Sequence, residues 1–204
     1  MAVGLVQRAQ NILTKPATEW DVIEAEPATV QGLYTGYACI LAAIPAVATM
    51  IQLAVFAHNP ILAVISGVIG YVLALVGLYL VAFIINALAP SFGATANQTQ
   101  AFKLATYANT AGWVAGAANI IPAIGGLISL VGAIYGLYLM YIGLPKLMKS
   151  PADKTTGYFI VTLVVAFVVY LVVAVVVGVI TGIIAAMTIG AAAVTGAAAT
   201  GGFH

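Results

Sequence analysis

The sequence predicts an all-α integral membrane protein: a five-helix transmembrane bundle with short amphipathic helices on its cytoplasmic face. Three observations predict it. Of 204 residues, 64% are hydrophobic and only 5% are charged, against about 25% charged in a soluble domain, so too few polar side chains exist to coat a water-soluble globule. Residues 27–102 and 155–204 carry no formal charge, and a third gap separates Lys103 from Lys146. Each gap is long enough for at least one span of about 20 apolar residues. Every Lys and Arg, finally, falls on one side of the arrangement that turn signals impose.

Those signals set the elements in order. Residues 31–57 form the first span, closed by His58-Asn59-Pro60. Residues 61–89 form the second, closed by Pro90-Ser91-Phe92-Gly93, with a polar loop over 94–100. The third covers 102–122 and turns tightly through Pro122 to Gly125-Gly126. The fourth covers 125–144 and stops at Pro145; the fifth covers 156–188. Pro and Gly supply the stops. With five spans, Arg8, Lys15, Lys103, Lys146, Lys149 and Lys154 share one side, as do all five acids. An excess of Lys and Arg marks the cytoplasmic side, which predicts a cytoplasmic N-terminus and an outside C-terminus.

Residues 1–30 read as a cytoplasmic or interfacial arm. Ala2, Leu5, Val6, Ala9, Ile12 and Leu13 share a helical face opposite Gln7, Arg8, Asn11 and Thr14. At about 13 residues this helix is too short to span; it either lies in the membrane interface or packs on the bundle's own loops. A second short helix follows, with Thr18 before Glu19-Trp20-Asp21 resembling an N-cap followed by first-turn acids. Its four acids either pair with Lys103, Lys146 and Lys149 or face a partner. Residues 191–204 read as a flexible Ala/Gly/Thr tail.

Within the spans, small residues recur four apart: Gly32 and Gly36, Ser66 and Gly70, Gly112 and Gly116, Gly132 and Gly136, Gly178 and Gly182. Helices in lipid lack a hydrophobic drive to associate, and such pairs let their backbones approach. The pattern predicts tight packing within the chain, or a homo-oligomer face. Pro45 is expected to kink span one. Span three is the polar one, with Tyr107, Asn109, Trp113 and Asn119. Amides are costly in lipid unless partnered, so this helix is expected at the centre, holding either interhelical hydrogen bonds or an intramembrane site. Tyr135, Tyr138 and Tyr141 read as an interfacial cluster.

The inventory argues against most chemistry. No carboxylate lies in a span, which disfavours a proton relay. His58 is the single internal histidine and Cys39 the single cysteine, so neither a metal site nor a disulfide framework is expected. Ser66 and Ser129 lack a nucleophile elbow, and the glycines form no phosphate loop. A net charge of +1 gives no field for nucleic acid. No cofactor, metal or catalytic residue is expected.

Four segments together carry a family resemblance: RAQNILTKPATEWDVIEAEPAT in the arm, LYTGYACILAAIP in span one, KLATYANTAGWVAG in span three, and LYLMYIGLPKLMKSPADKTTGY across the fourth span and its loop. Pro16, Glu19 and Trp20, with Gly143-Leu144-Pro145 and Met148-Lys149, are the most specific pieces. They resemble the bacterial branch of the Yip family, the Ypt/Rab-interacting-protein domain. The resemblance implies five spans, a cytosolic N-terminus and, from the eukaryotic members, an adaptor that binds prenylated Rab GTPases and shapes membranes.

The expected function is a non-enzymatic membrane adaptor or organiser whose cytoplasmic face does the recognising, through Trp20, Glu19, Glu24, Lys103, Lys146, Lys149 and Lys154. Its expected partners are membrane lipids, copies of itself and, by resemblance, a membrane protein or GTPase. The alternative is a small transporter or channel built around Tyr107, Asn109, Trp113 and Asn119.

Overall fold

The computed structural model describes residues 4–200; the side chains of residues 184, 185 and 188–200 lie outside the description, and with them most of the expected tail, 191–204. Two short helices open the chain, α1 (Leu5–Thr14) and α2 (Pro16–Ala25). The long helices are α3 (Val30–Phe56), α4 (Pro60–Leu88), α7 (Ile124–Met148) and α8 (Ala152–Thr200). Between α4 and α7 lie α5 (Gln98–Ala108), α6 (Thr110–Ala115) and a 3₁₀ turn, Gly116–Ile120.

Local chemistry sets these ends. The Thr29 hydroxyl accepts from the Gly32 N–H at 3.0 Å and caps α3. Asn59 does the same for α4 through the Leu62 N–H at 3.0 Å, with Pro60 at the first helical position and His58 turning the chain at φ 52°. Asn97 caps α5 through the Gln100 N–H at 3.1 Å, so the helix begins inside the stretch expected to be loop. Pro145 does not end α7: it removes one N–H near the end of the helix, which runs on to Met148 and stops where Lys149 adopts φ 54°. Helix α3 also contains an unforeseen π turn, Tyr34–Ala38.

Among the described residues four helices are long and apolar enough to cross a membrane. The third expected span, 102–122, is not one helix. It breaks at Asn109, whose side-chain amide donates to the Ala105 carbonyl at 2.8 Å and so competes with the backbone ladder. It tightens again at Gly116. Irregular backbone at membrane depth is tolerated only where protein covers it, and here α3, α4 and α7 all pack on it. Residues 101–108 are all buried. Helix α8 is the outermost element, packed chiefly on α4 and largely exposed along its apolar length.

The small-residue pairs divide by use. A Cβ added at Gly132 would lie 2.3 Å from the Ala115 Cβ and 2.8 Å from the Ala111 carbonyl oxygen; one at Gly116 would lie 2.6 Å from the Pro45 Cβ. These glycines let α7 and α3 approach the broken segment. At Gly178 and Gly182 a Cβ meets nothing within 4 Å. Gly132→Ala is therefore expected to destabilise the bundle by about 1–3 kcal/mol, while Gly178→Ala, with open space at its Cβ, costs nothing and stabilises by up to about 1 kcal/mol through helix propensity. Thermal unfolding in detergent checks the pair.

Candidate functional sites at the charged cap and the apolar crevice

The arm is docked on the bundle, and buried charges hold it there. Arg8 is 3% exposed, on the α1 stripe formed by Leu5 and Ile12. Its guanidinium donates to both Glu19, itself 6% exposed, and Glu26. It also lies 5.7 Å from the centre of the Tyr107 ring, a cation–π distance. Burial alone would lower the guanidinium's pKa. The hydrogen bond and charge of Glu26, then the charge of Glu19, outweigh that and raise it, so Arg8 stays cationic.

Lys103 completes the lock from the far side. Its ammonium donates to the carbonyl oxygens of Ile23 at 2.7 Å, Glu24 at 3.3 Å and Glu26 at 2.6 Å. Two of these end α2, where helix carbonyls lack intrahelical partners and the dipole favours a cation. A lysine from α5 thus caps a helix of the arm. Trp20 is fully buried beside Leu104 and Tyr107. Gly143 makes room for it, since a Cβ there would lie 2.7 Å from the indole. The Tyr135 hydroxyl donates to the Leu13 carbonyl at 2.8 Å, tying the end of α1 to α7.

Around this lock lies an exposed rim. Lys146 pairs with Asp21 at 2.6 Å and Lys149 with Glu24 at 2.7 Å. Lys15, Asp153 and Lys154 make no ion pair among the described residues. The seven expected recognition residues therefore separate. Glu19, Trp20 and Lys103 are buried beneath the arm, and Glu24, Lys146, Lys149 and Lys154 lie on the rim. A cleft of about 530 Å³ opens between α1 and the start of α3, lined by Arg8, Glu26, Gly36 and Lys103 among others. The Lys103 ammonium spends its donors on the three carbonyls, and Arg8 is held by its two carboxylates.

The four residues expected at a polar intramembrane site also part company. Tyr107 belongs to the lock. Asn119 sits at the far turn and accepts from the Ser129 hydroxyl at 2.8 Å. Asn109 and Trp113 alone share a crevice of about 480 Å³ between α4, α7 and α8. Its lining is mostly apolar and includes the small residues Gly112, Gly132 and Gly136. Helices α7 and α8 meet near their connecting turn, where Tyr141 packs edge-on against Phe159 at 5.3 Å. Beyond it the crevice reaches the bundle surface at Ala133, Phe167 and Tyr170, all exposed.

Neither the Arg8 cluster nor the crevice was foreseen in this form. Arg8 lies three residues after Leu5 and four before Ile12, and that register was the available signal for its burial. The crevice had none, because it arises where two helices diverge.

Arg8→Gln is expected to weaken the arm's docking by about 3–5 kcal/mol, since Glu19 is left buried without its partner. Lys146→Gln, at an exposed pair, changes it by about 1 kcal/mol or less. Limited proteolysis of the arm, with the red shift of Trp20 emission on undocking, reads both.

The model of the Yip1 domain matches residues 11–174, as the resemblance in the arm and the later spans implied. No curated protein and no solved structure matches.

Proposed function

Because the chain belongs to the Yip1 domain family, we propose that it is a non-enzymatic organiser of a bacterial cytoplasmic membrane, meeting its partners at the exposed rim of its cytoplasmic cap. The observation that carries this reading is the contrast between lock and rim. The Arg8 pairs are buried, and breaking them is costly. The Lys146–Asp21 and Lys149–Glu24 pairs are exposed, and such pairs contribute about 0–1 kcal/mol, so an incoming group exchanges with them at little cost. Trp20, Glu19 and Lys103 then present the rim, and Glu24, Lys146, Lys149 and Lys154 meet the partner. Membership in the family is consistent with membrane-protein or GTPase partners, and the cationic rim side chains suit anionic headgroups. Copies of the same chain are a further candidate.

The same reading takes the N-terminus as cytoplasmic, the C-terminus as outside, and residues 98–120 as a segment that enters the bilayer from the cytoplasmic side and turns back within it. Two features support it. The charges of the arm, α5 and the α7–α8 turn meet at one end of the bundle. The turn at the opposite end of α7 is wholly apolar over residues 120–124 and exposed. There Ala123 adopts φ 67° and the Ile124 N–H donates to the Pro122 carbonyl at 2.8 Å, a tight γ-turn. That turn suits a position within the apolar layer, whereas His58-Asn59 suits water.

A second reading, a small transporter or channel, draws on the crevice at Asn109 and Trp113. The crevice's apolar lining and its opening beside lipid-facing residues of α8 favour a lipid-phase ligand over an aqueous path.

Replacing Lys146, Lys149 and Lys154 together by Glu is expected to abolish enrichment of anionic lipid around the protein in mixed-lipid nanodiscs, and to remove in-cell cross-links from this face, while the arm stays protease-resistant. Unchanged lipid and cross-linking profiles defeat the rim reading. In a Cys39→Ser background, Asn59→Cys is expected to react with a membrane-impermeant maleimide applied to intact cells. Ser150→Cys and Ile121→Cys are expected to stay unlabelled, and labelling at Ser150→Cys reverses the orientation.

A further inference from the structure

We propose that the crevice between α7 and α8 is a binding site for one ester-linked acyl chain of a bilayer lipid, held at its carbonyl by Asn109 and Trp113. This goes beyond the cytoplasmic rim, and neither depends on the other.

The first observation is a pair of donors on residues that line one space. Trp113 lines the crevice, is 8% exposed, and its indole N–H makes no hydrogen bond among the described residues. Asn109 uses one amide N–H on the Ala105 carbonyl at 2.8 Å, and its side-chain oxygen accepts from the Tyr170 hydroxyl at 3.3 Å. Its second amide N–H is left over. Two unused donors in an apolar setting call for an acceptor that arrives without charge, and an ester carbonyl is one.

The second observation is size. The crevice measures about 480 Å³. It falls within the range of about 300–1,000 Å³ seen for small-ligand sites, and its apolar wall of Leu78, Val81, Leu137, Leu163 and Phe167 suits a flexible chain.

The third is depth. A Cβ at Gly132 or Gly136 would touch the carbonyls of Ala111 and Ala108, so Asn109 and Trp113 lie level with that stretch of α7. Tyr138 and Tyr141, both exposed, follow within about one to two turns toward the cytoplasmic end, and interfacial tyrosines sit at headgroup level. The donors therefore lie just beneath the headgroups, where ester carbonyls meet the chains. Entry is lateral, past Ala133, Phe167 and Tyr170.

Gly112 provides the test, since a Cβ added there meets nothing within 4 Å and points into free space. The purified protein is titrated in mild detergent with 1-palmitoyl-2-oleoyl phosphatidylglycerol and examined by native mass spectrometry. One lipid per chain is expected to survive activation that strips the rest. Gly112→Ala is expected to keep it and Gly112→Phe to lose most of it. Trp113→Phe and Asn109→Leu are each expected to weaken retention about threefold to tenfold, the value of one hydrogen bond. On the unaltered protein, the ether-linked analogue with the same headgroup and chains is expected to bind weaker by a similar factor, a comparison that needs no variant to fold. Equal retention of ester and ether lipids overturns carbonyl recognition. Undiminished retention in a folded Gly112→Phe protein, or a dimer peak in place of the bound lipid, overturns the site.

Discussion

The buried contact of Arg8 with Glu19 and Glu26 is the interaction on which the charged end of this molecule depends. A guanidinium and two carboxylates would each be costly to bury alone; together, with the Tyr107 ring over the cation, they compensate one another. The cluster ties α1 to α2 and to the approach to α3. It fixes the end of α2 where Lys103 can fill its open carbonyls. That in turn seats Trp20 in the notch left by Gly143. The arm is thereby part of the bundle's packing and not a helix resting in the membrane surface.

A second constraint acts lower down. The segment 98–120 is polar and broken, and in lipid it needs a sheath. Helices α3, α4 and α7 supply it, and glycines at positions 116, 132 and 136 let them come close. The Tyr37 hydroxyl meets the Thr110 hydroxyl at 2.9 Å, so a side chain of α3 satisfies a polar group of the segment. Close packing on three sides leaves the fourth, toward α8, loosely filled. The crevice follows from that geometry: α8 leans on α4 and parts from α7 beyond Tyr141.

Much of this was legible in the residues. The scarcity of charge set the class, His58-Asn59-Pro60 marked the break between the first two spans, and the arm and the α7–α8 turn pointed to the family. The pairing of acids with Lys146 and Lys149 was one of two open alternatives, and the exposed pairs realise it. Other features were hidden for physical reasons. An asparagine has the same hydropathy whether it interrupts a helix or rides on it, so the break at Asn109 leaves no periodic trace. Arg8 was placed on the polar face by its charge, although its register with Leu5 and Ile12 made it a core position. Lys103 was expected to meet carboxylates and instead meets carbonyl oxygens, because the end of α2 offers three of them in one place. Divergence of α7 and α8 is a property of two helices at once, and no stretch of sequence encodes it locally.

The docked arm is the central claim, and hydrogen–deuterium exchange on the protein in lipid nanodiscs tests it most directly. The account predicts that amides within α2, from Thr18 to Ala25, exchange as slowly as those in the C-terminal half of α7. Exchange across the arm at the rate of an exposed, unsupported helix would contradict it.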